Sequence, residues 1–369
     1  MKSGLSHFLL SVAIAIALAG PSAAASSFIG SFSTVSEVAS TVPGNGDVNP
    51  YGVAIVPATN GSLVANNILV SNFNASSNAQ GTGSTIVQIT PGGAVTLFSQ
   101  ITPSQVSGCP GGVGLTTALV ALQTGFVVVG SLPTSDGTAA TAKAGCLIVL
   151  DDNGNVVETF SGSKINGPWD MTASDSGSQV SLFVTNVLNG TVAANGRVVT
   201  EGTVLRIDLD IPPNGTPREK KLTVIASGFP ERTDPNALVI GPTGVGLSAD
   251  GKTLFVADTL ANRIAGISDP LNRHKTDGLG TTVAQGIPLN GPLGLAVAPN
   301  NDILTVNSGD GNIIESTLTG TMTSVATLDT TVAPPLPNGA GALFGLAVVP
   351  GGSGIYFVDD AENQLNLFH

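Results

Sequence analysis

The sequence predicts an all-β fold, a six-bladed β-propeller of four-stranded blades whose ring is closed by an N-terminal strand completing the last blade. Three observations predict it. A short motif recurs six times, its starts 60, 58, 74, 50 and 51 residues apart, and repeats of that length mark stacked supersecondary units. Each motif is followed by further short apolar runs separated by turn signals, four strands to a unit. No apolar pattern of 3.6-residue period is sustained after the first 25 residues, which argues against a helical core.

The chain opens with Met1-Lys2, an apolar stretch from Phe8 to Ala19, and Gly20-Pro21-Ser22-Ala23-Ala24-Ala25. That order of basic, apolar and small residues fits a secretory signal, with cleavage expected after Ala25. The apolar stretch is short of the ~20 residues a membrane span needs, and no later segment is longer. Residues 26–369 are therefore expected to form one domain, exported to a periplasm or secreted, with no membrane span. Losing Lys2 with the signal takes the formal net charge from −12 to −13. An acidic chain lacks the Lys/Arg surface that phosphate binding needs, which excludes a nucleic-acid partner.

The six starts are Pro50-Tyr51-Gly52, Pro110-Gly111-Gly112, Pro168-Trp169-Asp170, Pro242-Thr243-Gly244, Pro292-Leu293-Gly294 and Leu343-Phe344-Gly345, each leading into apolar residues. Second strands follow and end in small polar residues, at Asn72, Ser131, Asn186, Asp258, Ser308 and Asp359. Third strands include Ile86 to Ile89, Leu147 to Leu150 and Val204 to Leu209, and fourth strands include Val95 to Phe98, Val156 to Phe160 and Leu222 to Ala226. The last unit stops after its third strand, Gln364 to Phe368, and the segment Phe28 to Ser33 is expected to supply the missing one. Such closure removes an open sheet edge, and no blade buries its faces without neighbours.

From Gly241 to Ile264 the chain closely resembles an NHL repeat, and Gly294 to Asn312 and Gly345 to Asn363 resemble it less completely. NHL-like propellers form a superfamily with gluconolactonase-like and strictosidine-synthase-like propellers, which contains both enzymes and binding modules. The resemblance implies a propeller but does not choose between those functions. Gluconolactonase-type enzymes hold a divalent metal near the central channel through a glutamate, asparagines and an aspartate. Here the first repeat starts Asn49-Pro50-Tyr51-Gly52, with no glutamate.

In such a ring the inner strands start at the end to which the loops between second and third strands return. Cys109 and Cys146 then share one face, and in an oxidising compartment they are expected to form a disulfide across the loop from Leu132 to Gly145. Long loops at Asn74 to Gly83, Leu132 to Gly145 and Leu188 to Gly202 gather on the same half-rim, either as a recognition wall or as tolerated insertions. Beneath them stand Asn49, Asn166, Asn290 and Trp169 from the strand starts, and Asn72, Asn186, Asp258, Ser308 and Asp359 from the second strands. Their oxygens suit a hard cation such as Ca²⁺ or Mg²⁺, or they cap turns and strand ends.

Asp170 replaces a recurring glycine near the axis, and a carboxylate there needs either hydrogen bonds or a cation. Trp169 is read as a stacking platform for a ring or as packing between blades. Beyond the signal the histidines are His274 and His369, which rules against a histidine triad or multi-histidine metal site. Two functions follow. One is a binding or scaffold module for a protein or small-molecule ligand, with the long-loop rim as recognition surface. The alternative is a metal-assisted hydrolase or lactonase, with the cation on Asp170, Asn186 and Asp258.

Overall fold

A computed structural model describes residues 1, 26–331 and 334–369, so the signal expected over residues 1–25 lies outside the described residues apart from Met1. Six antiparallel sheets follow one another along the chain. Their innermost strands are Val48–Ile55, Leu115–Ala121, Gly167–Asp175, Pro242–Leu247, Pro292–Val297 and Leu343–Val348. Each packs on the inner strand before and after it, and the last packs on the first, which closes a six-bladed ring.

The apolar core is divided among the spaces between blades. Ala54, Leu69 and Ile86 of blade one meet Leu115, Val127 and Ile148 of blade two, and Phe183 and Val204 of blade three meet Val245 and Val256 of blade four. The central strands, Ile68–Asn74, Thr85–Ile89 and Cys146–Leu150 among them, are buried along their whole length. Strands covered on both faces carry continuous apolar stretches, as Ile68 to Val70 and Leu147 to Leu150 do.

Every inner strand carries a register shift just after its start, for example between Pro168 and Met171, Pro242 and Val245, and Pro292 and Leu295. A bulge bends the strand and re-aims the side chain on it. Neighbouring inner strands approach so closely there that a Cβ on Gly52 would lie 2.9 Å from Leu119 Cβ and from Thr117 O, and one on Gly294 or Gly345 would collide with Phe344 O or Tyr51 O. Buried hydroxyls join the blades at the same level. Ser71 Oγ donates to Thr116 O (2.8 Å) and Thr185 Oγ1 to Thr243 O (2.6 Å).

The N-terminus closes the ring through a later segment than the sequence suggested. Val35–Ser40, not Phe28 to Ser33, pairs with Gln364–Phe368. Residues Ile29–Ser31 form a 3₁₀ turn because the buried Glu315 carboxylate takes the N–H groups of Phe28 (2.7 Å) and Ile29 (2.9 Å) and the Ser27 hydroxyl (2.5 Å). Ile29 thereby enters the cluster between blades five and six. In blade two the inner strand begins at Leu115, so Pro110 to Gly114 is a lead-in; a Cβ on Gly114 would collide with Gly81 O. Blade three has five strands, because Arg218–Asp234 runs past the expected Leu222 to Ala226 and folds back on Leu238–Ile240. Cys109 and Cys146 are disulfide-bonded, with Cα atoms 5.4 Å apart.

Two substitutions test this packing. Gly294→Ala is expected to lower unfolding stability by more than about 3 kcal/mol, because backbone and not a flexible side chain meets the new methyl. Gly44→Ala, which meets nothing within 4 Å, is expected to stay within about 0.5 kcal/mol in the same denaturant titration. Removing the disulfide by Cys109→Ser is expected to cost about 3–4 kcal/mol, from the loop entropy restored to the unfolded chain.

Candidate functional site

At four of the six starts the middle residue of the motif turns toward the axis. Tyr51, Trp169, Leu293 and Phe344 meet there, all nearly fully buried. The Phe344 ring stacks on Tyr51 at 3.8 Å and faces Trp169, from the opposite blade, at 6.4 Å. Trp169 Nε1 donates to Val239 O (3.1 Å), so the hairpin of blade three is pinned over the stack. Leu238 and Val239 join the same cluster. The axis is thus plugged with aromatic and aliphatic side chains at the end where the inner strands begin.

The three long loops roof that end. Thr134 N–H donates to Gly81 O (2.9 Å), Thr134 Oγ1 donates to Gln80 O (2.5 Å), and Gln80 Nε2 donates to Pro235 O (2.8 Å). These bonds join the first two loops to each other and to the hairpin, and residues of all three loops, Gln80, Thr138 and Asn195 among them, line an open pocket of about 420 Å³ beside Arg232 and Asp234.

Below the plug the inner strands diverge around a channel of about 410 Å³, lined by residues from all six blades. Pro57, Gln123 and Asp175, at the far ends of their strands, mark its mouth. Most lining residues are apolar, with Leu119, Leu247, Val297 and Leu346 among them, but the surface facing the channel is more polar than apolar; the charged lining residues are Asp170 and Asp175. Thr117 also lines this channel, while its hydroxyl is buried and has no hydrogen-bond partner.

Asp170 stands where other blades keep glycine. Its Oδ1 accepts from Met171 N–H (2.8 Å) and its Oδ2 from Val245 N–H of blade four (3.0 Å). The carboxylate therefore takes the amide that the crowded inner strand presents, and part of its surface stays open to the channel. Burial pushes its pKa up to about 7, against the lowering by the two N–H groups. A group balanced near neutrality in a cavity can exchange protons with a ligand or pair with its charge.

The other sequence candidates lie around the plug rather than in the channel. Asn186 Oδ1 accepts from Asn166 N–H (2.9 Å) and Gly167 N–H (3.1 Å). Asn166 Nδ2 donates to Asn189 Oδ1 (2.6 Å). Asn72 Nδ2 donates to Thr41 O (3.1 Å) and Thr85 Oγ1 (3.2 Å), and its Oδ1 has no partner. Asn290 Nδ2 donates to Asp310 Oδ2 (2.9 Å), and Ser308 Oγ donates to Gly291 O (2.9 Å). Asn49 has φ 57° and its N–H donates to Asn363 Oδ1 (2.7 Å). Asp359 accepts from Glu362 N–H (3.2 Å). Burial, then the charge of Asp329, raises its pKa to about 7. Burial also raises Asp360 well above the usual carboxylate range.

The metal implied by gluconolactonase-type propellers does not fit these residues. Asp258 Oδ2 is held by Arg263 through Nη2 (2.8 Å) and Nε (3.1 Å), so its charge is already paired with a guanidinium, while Oδ1 is buried without a partner. Asn186 and Asp258 sit on second strands, level with Pro168 and Pro242. Asp170 lies beyond the plug with both oxygens turned to backbone. Among the described residues no group of three or more His, Cys, Asp or Glu is arranged to hold a metal ion.

Sequence reasoning passed over Thr117, the plug partners Tyr51 and Phe344, and Glu231, which is buried with its pKa raised by that burial to about 8. The plug had a signal: the middle residue of the repeated start is Tyr, Trp, Leu or Phe in four of the six units. Thr117 had none, because the Pro110 motif points to the wrong start.

No family model matches the chain, and no curated sequence matches it. Solved structures do. A gluconolactonase from Xanthomonas campestris is 13% identical, with 89% of this chain and 87% of that chain covered at a TM-score of 0.53. The calcium-binding protein regucalcin from Agrobacterium tumefaciens is 12% identical, with 89% and 92% covered at 0.52. A luciferin-regenerating enzyme is 10% identical, with 91% and 94% covered at 0.53. At these identities the shared property is the six-bladed fold. Among the described residues no helix is long and apolar enough to cross a membrane.

The buried acids set the pH response. Asp170, Asp359 and Glu231 hold protons in the folded chain up to pH about 7 to 8, whereas unfolded carboxyls release them near pH ~4. The native state then binds more protons across that window, so stability falls as pH rises through it. Tm is expected to be lower at pH 8 than at pH 5, and Asp170→Asn is expected to narrow the difference. A wild-type Tm that climbs from pH 5 to pH 8 would contradict the assignment.

Proposed function

We propose that this protein is an exported, NHL-like propeller that binds a small molecule in its central channel, entering from the face away from the roof. The observation that carries the reading is the channel itself. It is closed off at one end by the cluster of Tyr51, Trp169, Leu293 and Phe344, open at the other, and lined by apolar side chains interspersed with polar surface and the Asp170 carboxylate. A concave cavity of ~300–1,000 Å³ in which placed polar groups stand among apolar side chains is the usual form of a ligand site. The NHL affinity rests on Gly241 to Ile264. Export rests on the order of residues in Met1 to Ala25, and the disulfide is in keeping with it.

Ligand-observed NMR with a library of small molecules tests the reading. Ala296→Trp fills the channel from an inner strand and is expected to abolish binding while the unfolding transition stays cooperative. Binding that survives Ala296→Trp would overturn the channel as the site.

A second reading is favoured by Asp170 together with the fold shared with a gluconolactonase. A carboxylate with a pKa near 7 can take a proton from water attacking a small lactone or ester, a role worth roughly 10²–10⁴ in rate. No metal enters that scheme. Lactone hydrolysis that persists in EDTA, rises through pH 7 and drops at least about 100-fold in Asp170→Asn supports it. Equal hydrolysis by wild type and Asp170→Asn would reject it.

A further inference from the structure

The channel's polar groups define the kind of molecule they can pair with. Asp170 spends one lone pair of each oxygen on a backbone N–H, and an ionised carboxylate has about four acceptor sites. At the mouth, Asp175 Oδ2 accepts from Gln123 N–H (2.7 Å) and Oδ1 from Gly177 N–H (2.8 Å). Among the described residues no Lys, Arg or His lines the channel, so the Asp170 carboxylate has no counter-charge there.

Thr117 lines the channel from blade two, beside blade three, but its hydroxyl oxygen is buried away from solvent and has no hydrogen-bond partner. That oxygen does not face a ligand in the channel. The unmet need of the channel is thus a positive charge for Asp170, presented by a molecule with an apolar body.

Resting on the channel reading above, we propose that the ligand is a small primary or secondary organic ammonium. Its N–H groups meet Asp170, and its hydrocarbon lies against Leu119, Leu247, Val297 and Leu346. An anion would meet the Asp170 carboxylate in a site screened from water, where like charges repel strongly. A neutral molecule would fill the apolar space but leave the Asp170 charge without a partner. The acidic chain as a whole, formal charge −12, adds a field that concentrates cations at the mouth.

Three probes of one shape separate the possibilities: cyclohexylammonium, cyclohexanol and cyclohexanecarboxylate, titrated at pH 8 into the chain from Ser26 to His369. The ammonium is expected to bind at least tenfold more tightly than the alcohol, and the carboxylate more weakly than either. Asp170→Asn is expected to erase the preference for the ammonium. It removes the charge and also turns an NH₂ donor toward one of the two backbone N–H groups from which the carboxylate now accepts, so its cooperative unfolding and its retained binding of cyclohexanol verify that the channel is intact. Equal binding of ammonium and alcohol, both lost in Ala296→Trp, would overturn the cation assignment while leaving the channel as a binding site. Binding of any probe that Ala296→Trp does not remove, or silence from all three, would count against both.

Discussion

Six inner strands converge on one axis, and the rest of the structure follows from how little room they have there. Where the starts bulge, neighbouring backbones come within contact distance, so a side-chain carbon on Gly52, Gly294 or Gly345 would meet the next blade's main chain. Glycine answers the crowding by absence. Hydroxyls of Ser71 and Thr185 then tie the second strands of blades one and three to a carbonyl of the following blade. The residue ahead of the glycine is forced inward, and large residues in that place close the axis. Asp170 answers the same crowding with a hydrogen bond, reaching the Val245 amide where a methyl would have nothing to gain. The constraint that builds the ring thereby leaves one ionisable group at the head of the channel.

The fold was legible because the repeat is written in residue types that the geometry demands. Pro-x-Gly and the polar end of each second strand recur at the level of the bulge, and the pairing of Pro242 with Asp258 and of Pro292 with Asn307 shows why they travel together. Legibility failed where tertiary contacts outweigh local pattern. Phe28 to Ser33 looks like a strand, but a buried glutamate from a distant blade captures its amides. Pro110 to Gly114 copies the motif in a lead-in to the strand, and the long strand of blade three carries no mark at Ala226 that it continues.

The site was legible only in part. Asp170 stood out because it breaks a repeat, and it does line the channel. Asn72, Asn186, Asp258 and Asp359 stood out by repetition, and repetition is what a shared turn produces. Asn186 and Asp359 oxygens accept from backbone N–H groups and Asp258 Oδ2 pairs with Arg263, while Asn72 Oδ1 and Asp258 Oδ1 are buried without a partner. Charge and spacing in a sequence do not reveal whether an oxygen is already taken. Nor do they reveal that aromatic side chains from opposite blades meet and divide the axis into a roofed end and an open one.

That division is the central claim, and anomalous scattering from a crystal soaked in a brominated small molecule tests it most directly. The account predicts a bromine peak on the open side of the plug, between Asp170 and the aliphatic walls at Leu119 and Leu346. A peak on the roofed side, among Asn72, Asn186 and Asp258 with Tyr51 and Phe344 displaced, would contradict it.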